Sequence, residues 1–417
     1  MSEPALARRL GTADAVVIGM GSMMGAGMFA VWAPAARAAG AGLLIGLVIA
    51  AAVAYANATS SAQLAAAYPT SGGTYVYGRE RLGPWWGFAA GWAFVIGKTA
   101  SCAAMALTVA AYAVGGPLWR QRLVAVAVVL ALAALNYRGI TRTALLTRVL
   151  VGGTAIVMAV VVVASLTAPD VVHAVPNPLR SNTSVSGVLQ SGGLLFFAFA
   201  GYARIATMGE EVREPRRTIP RAITLALAAT VVVYAVIAVT ALVVAGAPAL
   251  AASSSPLTTV LEAADRSALT PLVRLGAALA ASGALLALIA GIGRTALAMA
   301  REGDLPPWCA AVHPRFRVPH HAEIALAVVV CALVLTVDLR GAIGFSSFGV
   351  LLYYAIANAS ALTQPDADRR WPRALQGAGL VGCLVLAFSL PIGSVLAGIG
   401  VVGVGLVGRC VALRRRR

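Results

Sequence analysis

Charge is scarce in this sequence, and negative charge is scarcest. Charged residues are 11% of the 417, with 15 Asp and Glu against 32 Lys and Arg, where a soluble domain carries about 25% charged residues. The acids fall at the ends of apolar runs or between them, so no midplane carboxylate pair is available as a general base or ligand. The four histidines, His173, His313, His320 and His321, fall in loops, and no HExxH is present, which argues against an integral-membrane metalloenzyme. The five cysteines (Cys102, Cys309, Cys331, Cys383, Cys410) show no CxxC spacing, so disulfides and a zinc site are not expected. No catalytic residue, metal or cofactor is implied.

What is abundant is apolar sequence, 60% of the chain. Runs long enough to match the roughly 20 residues that a helix needs to cross hydrocarbon recur from end to end. The pattern predicts one all-α integral-membrane domain with about twelve spans. Their expected bounds are Asp14 to Ala38, Gly42 to Ala65, Trp85 to Val114, Leu123 to Tyr137, Ala144 to Thr167, Val188 to Met208, Ile219 to Ala245, Leu269 to Ala300, Ile324 to Val337, Ala342 to Ala361, Ala374 to Leu390 and Ile392 to Val407. Pro391 alone separates the last two.

A net charge of +17 would suggest nucleic acid in a soluble protein, and its placement speaks instead for a membrane. With the N-terminus cytoplasmic, most arginines fall inside, from Arg8 and Arg9 to Arg414 through Arg417. Outside lie only Arg37, Arg120, Arg122, Arg180, Arg266, Arg274 and Arg340. This is the positive-inside asymmetry. It predicts a multi-pass protein of the plasma or inner membrane, with both termini cytoplasmic, no cleavable signal peptide and no nucleic-acid partner. The terminal arginines then bind lipid headgroups.

Two spans are interrupted at corresponding places. The first holds four glycines between Gly19 and Gly27, each costing about 1 kcal/mol relative to Ala in a helix. The sixth holds Phe196-Phe197-Ala198-Phe199-Ala200-Gly201-Tyr202, with Gly192 and Gly193 just before. These spans open two five-helix halves, 14–167 and 188–361, and 374–407 is left as an accessory pair. An odd number of helices inverts the second half, and matched breaks in an inverted repeat point to a transporter site. Unwound backbone at membrane depth survives only where protein, water or a ligand satisfies it. Free amides near Gly25, Ala26 and Gly27 suit a carboxylate. Carbonyls near Ile18, Gly19 and Met20, with those of Phe196 to Phe199, suit an ammonium, so an amino acid matches both. The competing reading of the glycines is close helix contact, for which Gly21 and Gly25 have the spacing.

The run Gly19 to Phe29 resembles the first-helix signature of the amino acid–polyamine–organocation superfamily. Phe196 through Ile223 is similar to its sixth-helix signature, with Gly209-Glu210-Glu211-Val212 followed by Pro215-Arg216-Arg217-Thr218-Ile219-Pro220-Arg221. Tyr68 to Tyr75 and Ala298 to Pro306 extend the likeness over most of the chain. Ile205 to Glu211 is most similar to the cationic amino-acid transporter branch. The resemblance implies a five-plus-five inverted repeat of the leucine-transporter type, working as an amino-acid permease. It implies carboxylate binding at Ser22, Met23, Gly25, Ala26 and Gly27, and amino-group binding at Phe196 to Phe199, with Phe197 at a gate or substrate contact. Two positions depart from it: Ala203 stands where relatives often have an acid, and Thr154 where many have a fifth-helix lysine.

Lys98, the single lysine, falls near the middle of the third span, where a charge costs about 2.5–3.5 kcal/mol and needs a partner or a wet cavity. One reading has it replace the fifth-helix lysine and gate the first helix; the other has it anchor backbone carbonyls. Tyr202 and Arg204 are further gating candidates, Arg204 through an ion pair with Glu210 or Glu211, or else as a topology anchor. Ser282 is a weak candidate for sodium. The expected function is secondary active amino-acid transport, with a proton as a candidate coupling partner. A polyamine or organic-cation transporter, a membrane enzyme and a channel remain as rivals; no repeated pore-loop or ring of charge favours the last.

Overall fold

The structure, a computed structural model, describes residues 10–68, 72–114, 117–138, 144–168, 184–206 and 212–414. Outside them lie Arg8, Arg9, Arg142, His173, Arg180, Arg415 through Arg417, the Pro69-Thr70-Ser71 stretch, and Gly209, Glu210 and Glu211.

Lipid cannot solvate peptide groups, so a chain this apolar must pair them internally, and the described residues do so as helices. In the first half these are α1 (Thr12–Met23), α2 (Ala26–Ala30), α3 (Trp32–Ala39), α4 (Leu43–Ala67), α5 (Thr74–Leu82), α6 (Pro84–Ala113), α7 (Leu118–Tyr137) and α8 (Ala144–Leu166). There follow α9 (Val185–Phe199), α10 (Ala203–Ala206), α11 (Pro215–Val244), α12 (Gly246–Ala252), α13 (Pro256–Ala263), α14 (Thr270–Arg301), α15 (His320–Thr336) and α16 (Leu339–Leu362). The chain closes with α17 (Arg373–Ser389) and α18 (Ile392–Arg414).

Local chemistry marks the starts. The Ser184 hydroxyl accepts from the Gly187 N–H at 3.0 Å ahead of α9, and the Asp338 carboxylate from Gly341 at 3.0 Å ahead of α16, each satisfying an orphan amide. Pro84, Pro215 and Pro256 open α6, α11 and α13, where the missing N–H costs nothing.

Nine of the described helical stretches are long and apolar enough to cross a membrane; α9, α15 and α17 are apolar but shorter, at 15, 17 and 17 residues. The chain is therefore a multi-pass membrane protein. Helix ends often lie a few residues beyond the expected spans. The fourth begins at Leu118 rather than Leu123 and the last runs to Arg414 rather than Val407, because hydropathy marks the part in hydrocarbon while the helix continues into the headgroups.

The breaks fall later than expected. α1 runs unbroken to Met23, through Gly19 and Gly21, and only Met24 and Gly25 leave the helix. Gly19 is a contact rather than a break: a Cβ there would lie 2.8 Å from Ile205 Cγ1 and 3.3 Å from Ala226 Cβ. Hydrogen bonds from Val31 to Gly27 (3.1 Å) and from Ala35 to Val31 (3.0 Å) carry the second half of the span on from α2 into α3. In the sixth span Phe196 to Phe199 are the last helical turn, and the interruption is Ala200-Gly201-Tyr202. Phe196 and Phe199 are fully buried and pack on Tyr354 and Tyr234 at 5.9 and 5.1 Å between ring centroids, which holds that turn wound.

At the centre stands α6, packed by α14, α16, α7, α15 and α2 and buried over most of its length. Its crossing with α16 is close because glycines meet: a Cβ on Gly97 would come 3.1 Å from Val350 N, the small-residue packing typical of membranes. α7, α8 and α18 turn residues such as Leu123, Val149 and Val404 outward, as a lipid-facing surface requires.

Candidate functional site

The two breaks meet. A Cβ on Gly201 would lie 2.5 Å from Met23 N, and one on Gly27 would lie 2.7 Å from Ala198 Cα. Glycine at both places lets two interrupted backbones touch. On the far side Gly25 faces α14, where a Cβ would be 2.8 Å from Ala284 Cβ. Gly25 thus serves a close helix contact as well as the break.

Peptide groups freed by the breaks are met by side chains. The Tyr234 hydroxyl on α11 lies 2.7 Å from the Met23 carbonyl and 3.1 Å from that of Ala198, sharing its proton between the two interrupted helices. Lys98 donates to the Ala200 carbonyl at 3.2 Å, and the Tyr354 hydroxyl donates to the same oxygen at 3.4 Å. The hydrogen bond described for Lys98 is thus to the sixth-helix break. Thr154, at the position matched to the family's lysine, bonds back to Leu150 at 2.8 Å.

The remaining expected residues are placed as follows. Ile18 and Ser22 are half-buried on α1, and the Ser22 hydroxyl donates to the Ile18 carbonyl at 3.0 Å; the Met20 carbonyl accepts from Met24 at 2.6 Å. Those carbonyls, like that of Met23, already accept hydrogen bonds within the protein. Met23, Gly25, Ala26 and Gly27 are buried at the junction with Phe196, Phe197, Ala198 and Phe199. Tyr202 stacks on Tyr354, centroids 4.9 Å apart. Arg204 is half-buried on α10, and the acids expected to pair with it lie outside the described residues. Ser282 is half-buried on α14.

The two sides of the junction differ. Toward α3 and α13, Tyr112 donates to the Phe29 carbonyl at 2.9 Å and accepts from Leu257 N–H at 3.2 Å, while Trp32 meets Tyr234 edge-on at 6.1 Å. Phe29, Trp32, Tyr112 and Leu257 are at most 1% exposed, so α13 closes that side. Toward the N-terminal end of α1, Gly21, Ser22, Gly201 and Arg204 are all half-buried.

Sequence reasoning missed the tyrosines that serve the breaks, Tyr234 and Tyr354, each a buried hydroxyl inside an apolar run. It also missed two buried polar groups. Asn358 on α16 donates to Asn57 at 2.6 Å and accepts from Ser60 at 2.7 Å on α4. Asp304, beyond α14, is 5% exposed in its side chain and faces Arg79 of α5 at 3.1 Å and Arg409 of α18 at 2.9 Å. The Arg409 contact is an ion pair without hydrogen-bond alignment, and its guanidinium lies over Phe88 and Trp85 at 4.8 and 5.0 Å. Tyr75 donates to Asp304 at 2.8 Å; burial, then that carboxylate, push its ionisation upward, so it stays a donor. Among the described residues no group of three His, Cys, Asp or Glu could hold a metal.

Known proteins match along the chain. An amino acid permease family model covers residues 10–406. An uncharacterized transporter of Mycobacterium tuberculosis is 58% identical over 99% of this chain and 93% of its own length. The branched-chain amino acid permease of Bacillus subtilis is 25% identical over 93% of this chain and 89% of its own. Cationic amino acid transporter 4 of Homo sapiens is 26% identical over 86% and 60%. With matched signatures, two facing breaks and a family model spanning nearly its whole length, this chain belongs to the amino acid permease family and is a membrane transporter.

Proposed function

We propose that the protein is a secondary active permease that carries an amino acid by alternating access at the junction of the two broken helices. The observation that carries the reading is the close approach of the two interrupted spans on either side of their breaks, Gly201 against Ser22 and Met23, and Gly27 against Ala198. The carboxylate is assigned to the amides at Gly25, Ala26 and Gly27, and the amino group to the carbonyl end of α9. Phe197 and the Ser22 to Met23 turn border the substrate.

In this reading residues 14–167 and 188–361 are inverted repeats of five spans each, and 374–407 adds two accessory spans to make twelve, in one transporter domain. The pairing of a break in α1–α2 with one in α9–α10 supports that arrangement. The protein sits in the cell membrane with both termini cytoplasmic, as the arginine asymmetry favours. Tyr202 and Arg204 serve the inner gate, and Lys98 holds the sixth-helix break and is the candidate for proton coupling, since no acid lies in the middle of a span.

The test is counterflow of a labelled amino-acid panel in proteoliposomes, at two pH values and with or without sodium. Saturable exchange is expected, with a pH effect and no sodium effect. Folded protein that exchanges no amino acid would end the proposal. Lys98→Met is expected to slow uptake sharply and to remove its pH dependence with surface expression intact, and normal transport with normal pH dependence would refute the role given to Lys98.

A further inference from the structure

We infer that the transported amino acid carries a second carboxylate: the site selects acidic amino acids over neutral ones and rejects cationic ones. The inference rests on the amino-acid reading above and concerns the charge balance of the same site.

Lys98 is the single lysine in the chain, 8% exposed, on a helix buried at the centre of the molecule. Its contact among the described residues is one neutral carbonyl, that of Ala200, at 3.2 Å. An ammonium has three N–H donors, so one carbonyl leaves two of them and the whole charge uncompensated. No described ion pair includes Lys98. The helices around it offer no counter-charge at its depth. α2, α7, α14 and α16 contain no Asp or Glu, and neither does α9, which Ala200 follows directly. On the other helices packed against α6, the acids are Glu80 of α5, exposed, and Glu323 in the first turn of α15.

The Ala200 carbonyl also accepts from Tyr354, so both of its lone pairs are engaged. The Ala200 carbonyl is therefore closed to the substrate's amino group, which is left to the carbonyls within the last turn of α9, while a second ammonium on the side chain would stand beside a like charge. A carboxylate arriving there meets two spare donors. Gly201 and Ser22, which adjoin this carbonyl across the junction, are half-buried, so the junction keeps some open surface beside the group that Lys98 holds.

Counting charge in the occluded complex gives the ranking. A zwitterion with a neutral side chain leaves the site at +1, and a cationic amino acid raises it to +2. An acidic amino acid brings it to zero, the state that a low-dielectric interior favours most. Small residues facing Gly25 on α14, such as Ala284, add no acid that would reverse the order.

The experiment compares counterflow of glutamate, leucine and lysine by the wild type, Lys98→Arg and Lys98→Met, each first shown to be monodisperse and folded. Expected are an apparent affinity for glutamate at least about tenfold above that for leucine, and no measurable exchange of lysine. Lys98→Arg keeps the order, and Lys98→Met loses the preference for glutamate by about tenfold or more. Exchange of lysine on a par with glutamate, or a ranking that Lys98→Met leaves unchanged, overturns the inference. Exchange of leucine without glutamate overturns it too while leaving the amino-acid reading intact, whereas folded protein that exchanges none of the three overturns both.

Discussion

At the scale of single residues, the junction depends on what is missing as much as on what is present. Gly201 has Met23 N within 2.5 Å of where a Cβ would stand, and backbone on an opposing helix cannot yield as a side-chain tip can. Gly201→Ala is therefore expected to push the two breaks apart and reduce uptake at least about tenfold, a larger effect than its modest cost in stability. Gly153→Ala is the control, because nothing lies within 4 Å of a Cβ there and helix propensity improves by about 1 kcal/mol. Equal uptake by the two variants would remove the junction from the mechanism. Tyr234→Phe tests the opposite case, a group that must be present. Its hydroxyl is shared by the Met23 and Ala198 carbonyls, and leaving a buried acceptor unmade costs about 1–3 kcal/mol. A lower apparent melting temperature in detergent is expected, together with slower transport; a variant as heat-stable as the wild type would show that water replaces the hydroxyl.

At the scale of helices, hydropathy marked where chain crosses lipid and the glycines marked where it unwinds, yet both breaks lie later than the glycine and phenylalanine patterns suggested. The cause is that glycine in a membrane helix has two uses. Gly19 admits Ile205, while Gly25 both opens a helix and admits Ala284, and no pattern within one segment separates these uses. The ties between helices were not legible, since they join residues far apart in the chain. Asp304 with Arg79 and Arg409 is such a tie: it fixes α5 and α18 to the end of α14 through groups that look like ordinary loop and terminal charges. Removing one partner of a buried pair costs about 3–5 kcal/mol because the other is left charged and dry. Asp304→Ala is thus expected to lower the yield of monodisperse protein sharply, and adding Arg409→Leu to recover part of it. A double variant no better than the single would show that Arg79, and not Arg409, is the important partner.

At the scale of the whole molecule, the two faces of the junction are unequal. On one side Tyr112 bridges the Phe29 carbonyl and the Leu257 amide, and Trp32 caps Tyr234, with no more than 1% exposure at any of these residues. On the other, the inner half of α1 is tied by Asp14 to Arg148, and by Arg213 N–H to the Leu10 carbonyl at 2.9 Å. Even so, Ser22 and Gly201 keep part of their surface. Two ties at the rim of a helix are easier to release than a closed aromatic layer, so in the proposed orientation access is expected from the cytoplasmic side. A cysteine placed at Ser22, in a background where the exposed Cys410 and the other cysteines are replaced, is expected to react with a membrane-impermeant maleimide in inside-out vesicles. In right-side-out cells it should be protected. A transported amino acid should slow the inside-out reaction, because the ligand occupies the same junction. Labelling from the outside alone would reverse the orientation of the bundle, and with it the assignment of α13 as the outer closure.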